Sequence, residues 1–231
     1  MKLCVIPARG GSKRIPKKNI KNFCGKPIIS WPIIAAIKSK CFDRIIVSTD
    51  DEEIKEVANF YGAETPFTRP KELSDDFSSS LDVVKHAIEI QNDVDKHQDT
   101  VCCIYPTAPF ISPSDILRGL QALEDNEVDY SLSVTSYPYP IQRALKLNQN
   151  NLIEMVSPQF LKSRSQDLES NFHDAAQFYW GLSSAWINSK PIFEGNSYPV
   201  YIPRYRVQDI DNEEDWVSAE FMFQAIRSRE K

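Results

Sequence analysis

The apolar residues of this chain fall in short blocks separated by amphipathic stretches, and that rhythm sets the first expectations. Leu3–Ala8 is a compact apolar run stopped by Gly10 and Gly11, the pattern of a buried strand. Ile28–Ser39 reads as an apolar helical stretch, with Pro32 tolerated near its first turn. Arg44–Asp50 predicts a second strand, and Asp50 and Asp51 suit the start of a helix over Glu52–Tyr61 that Gly62 closes. Glu64–Phe67 is a short extended piece, and Thr68–Ser80 is a polar loop feeding a helix from Leu81 to Gln91. Val101–Tyr105 predicts a third strand ended by Pro106 and Pro109, and Ser114 or Asp115 starts the next helix, which runs to Asn126.

Tyr130–Thr135 alternates as a strand does, and Ala144–Asn148 and Leu152–Val156 read as a hairpin across the turn Gln149–Asn151. The pattern recovers after Asn171 with Gly181–Ile187, Pro199–Pro203 and a final helix from Glu213 to Ile226. Strands separated by helices predict βαβ units, hence an α/β fold with a mostly parallel central sheet and helices on both faces. Residues 136–175 break the rhythm. They are read as a lobe inserted into one domain spanning residues 1–231.

Composition narrows the classes further. A chain of 231 residues with 42% hydrophobic residues suits one globular domain. A net charge of −5 with no long basic run argues against a nucleic-acid or membrane-surface partner. No stretch approaches the ~20 apolar residues of a membrane helix, and the opening apolar run is too short for an export signal, so a cytoplasmic location is expected. Of the five cysteines, Cys4, Cys102 and Cys103 lie in apolar runs and no CxxC spacing occurs, which points to buried free thiols.

The strongest local chemistry is PARGGSKRIPKKN, Pro7–Asn19, which follows the first strand and so sits at the carboxyl edge where open α/β sheets bind ligands. Gly10 and Gly11 let backbone N–H groups approach an anion, Ser12 adds a hydroxyl, and Arg9, Lys13, Arg14, Lys17 and Lys18 supply positive charge. The loop fits neither GxGxxG nor GxxxxGK[ST], so the residues alone support an anion site or a solvated basic loop.

PARGGSKRIPKKN followed by GKPII resembles the signature of the CMP-sialic acid synthetase family of cytidylyltransferases, and RIIVSTDDEEI, TRPKELSDDFSSS, YPTAPF and QDIDNEEDW match in order over nearly the whole chain. YPIQRAL and HDAAQFYWG are similar to the branch that activates pseudaminic acid, a nine-carbon keto-sugar acid. The resemblance implies a Rossmann-like nucleotidyltransferase fold with a small dimerisation lobe, transfer of CMP from CTP to the anomeric hydroxyl of an acidic keto-sugar, Mg²⁺ as cofactor, and a homodimer. Legionaminic, N-acetylneuraminic or keto-deoxy-octulosonic acid are alternative sugars, and a non-catalytic nucleotide-binding module is the alternative of another class.

Residue by residue, the resemblance assigns triphosphate contacts to Arg9, Ser12 and Lys18, with Gly10, Gly11 and Lys13 in the same loop and Asn19 near the nucleotide. Lys18 would stabilise the departing pyrophosphate, a role that Lys13 or Arg14 could share, and Arg9, Lys18, Asp209 and Asp211 make the catalytic set; Arg14 stands where the family often has Gly. Arg69, Ser78 and Ser80 match a segment holding base and ribose, although the serines equally suit a helix cap. Asp209 and Asp211 match a metal-binding pair, against the alternative that Asp211 caps the last helix with Glu214. Tyr105, Thr107, Gln142, Arg143, His173, Gln177, Phe178 and Tyr179 are the candidate sugar contacts; Phe178 equally suits the core, and His173 either orients the attacking hydroxyl or lies on the surface. His86 and His97 are read as surface or satisfied positions.

Overall fold

The computed structural model describes residues 1–75, 78–94 and 99–229. In chain order its elements are β1 (Lys2–Pro7), β2 (Asn22–Phe23), β3 (Lys26–Pro27), α1 (Ser30–Ser39), β4 (Arg44–Ser48), α2 (Glu52–Phe60), α3 (Ser80–Val94), β5 (Thr100–Ile104), α4 (Pro113–Asp125) and β6 (Tyr130–Ser136). There follow β7 (Leu145–Leu147), β8 (Ile153–Met155), β9 (Phe172–Leu182), α5 (Ser183–Ile187), β10 (Ser197–Tyr201) and α6 (Glu213–Arg229). His97 lies outside the described residues.

Six strands form one sheet in the order β10-β6-β9-β5-β1-β4. β9 alone runs antiparallel to its neighbours β5 and β6; the pairs β1–β4, β1–β5 and β6–β10 are parallel. β7 and β8 pair antiparallel as the expected hairpin, in the 137–171 segment between β6 and β9. One expectation is corrected here. Gly181–Ile187 is not a separate strand: Gly181 and Leu182 end the long strand β9, and residues 183–187 make a short helix. The polar start of β9, FHDAAQ, concealed its first half.

Period-two alternation explains why the sheet is covered twice. Cys4 and Ile6 of β1, Cys102 and Ile104 of β5, and Phe178 and Trp180 of β9 face a core shared with Ile33 and Ala36 of α1, Ala58 of α2, and Ile116 and Leu120 of α4. Leu3 and Val5, Val101 and Cys103, and Tyr179 face the opposite core with Val84, Ala87 and Ile88 of α3 and Trp186 of α5. All five cysteines are free, and burial pushes the Cys4 and Cys102 thiols well above their usual range. α4 lies close on the sheet because Gly119 has no side chain; a Cβ there would sit 2.5 Å from Cε2 of Phe178.

Helix starts follow local chemistry. Asp51 caps α2 by accepting the Ile54 N–H at 3.0 Å. Ser112, not Ser114 or Asp115, caps α4, accepting the Asp115 N–H at 3.2 Å; Pro113 then takes the first helical position, which suits its fixed φ. A third apolar cluster joins Ile15 of the basic loop to Phe23, Trp31, Phe110, Ile210, and Trp216 and Phe223 of α6. This cluster anchors the loop and the 207–212 segment on one another. No helix among the described residues is long and apolar enough to cross a membrane.

Candidate active site

Parallel strands deliver their following loops to one edge, where the carboxyl ends of β1, β4 and β5 lie together. Residues 8–29, 49–51 and 105–112 follow those strands; residues 202–212 follow β10, and β9 begins at the same edge. Two adjoining cavities open there. One, of 180 Å³, is lined by Arg9, Ser12, Lys13, Arg14, Lys18, Asn19, Thr107 and Asp211. The other, of 250 Å³, is lined by Arg9, Arg69, Ser78, Ser80, Tyr105 and others, and shares Pro7, Arg9 and Pro106 with the first.

The basic loop is held by its own short side chains. Asn19 is buried and donates its amide to the Arg9 carbonyl at 2.9 Å. The Gly10 N–H donates to Asp50 Oδ1 at 2.9 Å, and a Cβ at Gly10 would meet Asp51 Oδ2 at 2.7 Å. The Gly10 N–H is therefore spent on Asp50 instead of facing the cavity, while the absence of a side chain lets the loop seat against α2. The Arg9 guanidinium donates to the Asp75 carbonyl. Lys17, in left-handed conformation, reaches away to Glu53 on α2 at 2.6 Å, leaving Lys13, Arg14 and Lys18 toward the cavity.

Lys18 meets Ile210, which stands between the two aspartates, across 192 residues of chain. Lys18 Nζ donates to the Ile210 carbonyl at 2.7 Å and lies 3.9 Å from Asp211 Oδ1, and Arg14 pairs with the same oxygen at 2.8 Å. Ile210 is buried in the third cluster, and Asp209 and Asp211 flank it. Asp211 is not the cap of α6. Asn212 accepts the Asp215 N–H at 3.0 Å, and Asp215 Oδ2 returns to the N–H groups of Asp211 and Asn212 at 3.0 and 3.1 Å. The Asp211 carboxylate is thereby left to its cations. Burial lowers the Lys18 pKa below the usual lysine value, against the pull of Asp211 and Asp209. Desolvation, then the neighbouring Asp211, pushes Asp209 up.

In the second cavity the three serines part company. Ser79 caps α3 reciprocally with Asp82, its Oγ donating at 2.6 Å and accepting the Asp82 N–H at 3.2 Å. Ser78 is bound to Asp75 Oδ1 at 2.7 Å, and Ser80 Oγ donates to the Tyr105 hydroxyl at 3.2 Å. Arg69 is buried: its Nε donates to Ser48 Oγ at 3.1 Å and its terminal nitrogens to the Ser48 and Leu73 carbonyls. Desolvation lowers its pKa to about 10.

Among the sugar-contact candidates the structure separates scaffold from lining. Tyr105 and Thr107 line the two cavities. Phe178 does not: it is fully buried on the core face under Gly119, where strand alternation puts it. Gln177, only 3% exposed, spends its amide N–H on the Arg206 carbonyl at 2.6 Å and ties β9 to the turn before Asp209. Gln142 and Arg143 brace their own segment, donating to the carbonyls of Glu169 and Ser163 at 3.0 Å each. His173 packs on the Tyr137 ring at 4.8 Å and contacts the Asp174 carbonyl through Nδ1 at 2.8 Å.

Asp174 escaped the sequence reading. A register shift between Leu132 and Val134, with Ala176 in left-handed conformation, makes a bulge in β9. Ser133 Oγ accepts the freed Gln177 and Phe178 N–H groups at 3.2 Å each, and Asp174 accepts both the Ala176 N–H at 2.8 Å and the Tyr179 hydroxyl. An alanine at positive φ leaves no trace in sequence, since glycine or asparagine is the usual signal.

A doubly covered, mostly parallel sheet whose carboxyl edge carries a cationic loop facing an aspartate pair defines a nucleotidyltransferase. The sequence model of the cytidylyltransferase family matches residues 3–194, and the chain belongs to that family. It is 47% identical over 221 residues to the pseudaminic acid cytidylyltransferase of Campylobacter jejuni subsp. jejuni serotype O:2, covering 96% of this chain and 95% of that protein. It is 32% identical to the CMP-N,N'-diacetyllegionaminic acid synthase of Legionella pneumophila, covering 94% of each. A solved structure of CMP:2-keto-3-deoxy-manno-octonic acid synthetase complexed with CTP superposes with a TM-score of 0.71 at 18% identity, over 100% of this chain and 99% of that one, and so shares the fold.

Proposed function

We propose that this enzyme transfers CMP from CTP to the anomeric hydroxyl of pseudaminic acid, a nine-carbon keto-sugar acid, releasing pyrophosphate, in the cytoplasm and as a homodimer. The observation that carries the reading is the meeting of Lys18 with Asp209 and Asp211 at the mouth of the basic loop. The choice of sugar rests on the 47% identity to the Campylobacter enzyme, against 32% to the legionaminic one.

In this reading the triphosphate occupies the cavity lined by Lys13, Arg14 and Lys18, and the nucleoside extends into the cavity of Arg69, Ser78 and Ser80. The sugar hydroxyl oxygen bonds to the α-phosphorus as the bond to the bridging oxygen of pyrophosphate breaks. Negative charge grows on that leaving oxygen, and fixed cations beside it lower the barrier more than they tighten ground-state binding.

Asp209 and Asp211 are the residues that would hold Mg²⁺. Their chemistry fits: two hard oxygen donors stand two positions apart, burial and then the neighbouring Asp211 push Asp209 up, and a divalent cation would offset both the lost hydration and the repulsion. Among the described residues no group of three or more His, Cys, Asp or Glu is placed to hold a metal, so phosphate and water oxygens would complete the shell. When bound, magnesium supplies neutralising charge for the phosphate oxygens.

The homodimer reading draws support from the segment between β6 and β9, where Tyr139 is 80% and Ile153 70% exposed alongside exposed Leu145, Leu147, Leu152 and Leu161. The test of function is pyrophosphate release from CTP and Mg²⁺ across pseudaminic, legionaminic, N-acetylneuraminic and keto-deoxy-octulosonic acids. Turnover with pseudaminic acid and its loss in the Asp209→Asn/Asp211→Asn double variant are expected. CTP binding without release from any acid would leave a nucleotide-binding module instead.

A further inference from the structure

Asp209 and Asp211 stand on a segment that the main chain leaves unheld. Among the described residues no backbone–backbone hydrogen bond reaches residues 208–211. Side chains anchor it instead: Lys18 on the Ile210 carbonyl, Asp215 on the Asp211 N–H, and Arg206 on the upstream side. Arg206 ends the turn 204–206, where its N–H donates to the Pro203 carbonyl at 2.8 Å and its carbonyl accepts the Gln177 amide at 2.6 Å. Its guanidinium crosses to the first turn of α4, Nη1 donating to Asp115 Oδ2 at 2.5 Å and Nη2 to Asp115 Oδ1 at 3.3 Å.

Asp115 is 2% exposed and does more than start a helix. Ser112 caps α4 and also donates its Oγ to Asp115 Oδ2 at 2.6 Å, while Arg118 donates to Oδ1 at 2.5 Å. Desolvation pushes the Asp115 carboxyl up, but the hydrogen bonds from Arg206, Ser112 and Arg118 outweigh it and hold it below the usual carboxylate value. It is therefore a fixed anion on a helix packed closely against the sheet, and the fork of Arg206 reads its position at two points. Ligand carboxylates need placement to within about 0.5 Å. Groups behind a ligand typically change metal affinity by about 10–100-fold when removed.

We propose that Asp115 is a positioning residue: through its paired hydrogen bonds to Arg206 it fixes the turn that leads into Asp209 and Asp211, and so sets the affinity of that pair for a divalent cation. The inference rests on the reading of Asp209 and Asp211 as the residues that hold Mg²⁺.

The probe is Mn²⁺ alone, titrated into the whole chain and followed by loss of the free-ion paramagnetic resonance signal, with thermal unfolding to confirm that each variant is folded. Arg206→Met keeps the stem and the carbonyl that Gln177 needs, and it leaves Asp115 with Arg118 and Ser112, so no buried charge is stranded. Asp115→Asn keeps an acceptor for the Ser112 hydroxyl. Arg118→Met is the control, because it takes the other cation from the same carboxylate without touching the turn. The further bond of Arg118 goes to the Tyr201 carbonyl, on a strand already paired with β6.

Arg206→Met and Asp115→Asn are each expected to weaken Mn²⁺ about tenfold, their double variant no further, and Arg118→Met not at all. In turnover, the Mg²⁺ concentration for half-maximal rate should rise by the same factor in the first two, with KM for the sugar acid unchanged. Unaltered Mn²⁺ affinity in Arg206→Met, an equal loss in Arg118→Met, or losses that multiply in the double variant would each overturn the proposal. Wild-type Mn²⁺ binding that survives Asp209→Asn/Asp211→Asn would overturn the metal reading itself, and this inference with it.

Discussion

Lys18 carries the heaviest burden of any single side chain. Local chemistry makes it one of five cations that are chemically alike, and the family resemblance is what singled it out for the departing pyrophosphate. Folding separates them: Lys17 goes to Glu53, while Lys18 reaches the Ile210 carbonyl between the two aspartates. Lys18→Met removes the charge, keeps most of the stem and should lower kcat by about 10²–10³, the usual loss when one fixed transition-state donor is removed. The sign of the pH effect follows from the depressed pKa. The folded enzyme releases this proton at lower pH than free lysine does, so kcat/KM should fall on its alkaline limb before the ordinary lysine range. Stability runs the other way for this group: between the folded and unfolded pKa the unfolded chain binds more protons, so the cost of burying the cation eases as pH rises. A pH–rate profile in which Lys18→Arg pushes that alkaline limb upward would support the assignment, and an unmoved limb would refute it.

At the scale of elements, α4 shows how the sheet fixes what helix chemistry alone leaves open. Propensity would place alanine at position 119, worth about 1 kcal/mol over glycine. Overlap at 2.5 Å with Phe178 and 2.7 Å with Trp180 opposes it, and both rings are fully buried. Overpacking of this kind costs about 1–3 kcal/mol, so sterics win: Gly119→Ala should destabilise by up to about 2 kcal/mol net in urea unfolding, with catalysis retained. A stabilised Gly119→Ala would mean that α4 moves off the sheet easily. The sequence predicted α2 and its Asp51 cap correctly, because capping is a local event. It misplaced the start of α4, since Ser112, Ser114 and Asp115 are all competent caps and only Pro113 breaks the tie. It missed the first half of β9, whose bulge is satisfied by Ser133, 44 residues away.

Considered whole, the molecule gathers residues from 9 to 211 at one sheet edge, and the 137–171 segment leaves the sheet at that edge as well. The exposed apolar face of β7 and β8 predicts a partner. Leu147→Asp with Ile153→Asp should convert a dimer to a monomer in light scattering at micromolar concentration, and a wild type that is monomeric there would refute the homodimer.

The alternation of strands and helices, the cationic loop, the Asp51 cap and the paired aspartates were determined by the sequence itself, because each depends on residues within a few positions of one another. Tertiary structure decided which groups meet. It spent Gln177 and Phe178 on the scaffold and left Asp211 to Arg14 and Lys18. It also brought Asp174 to the Tyr179 hydroxyl and Ser80 to the Tyr105 hydroxyl. Such pairings depend on register, on a single bulge and on the packing of distant strands, which local pattern does not encode.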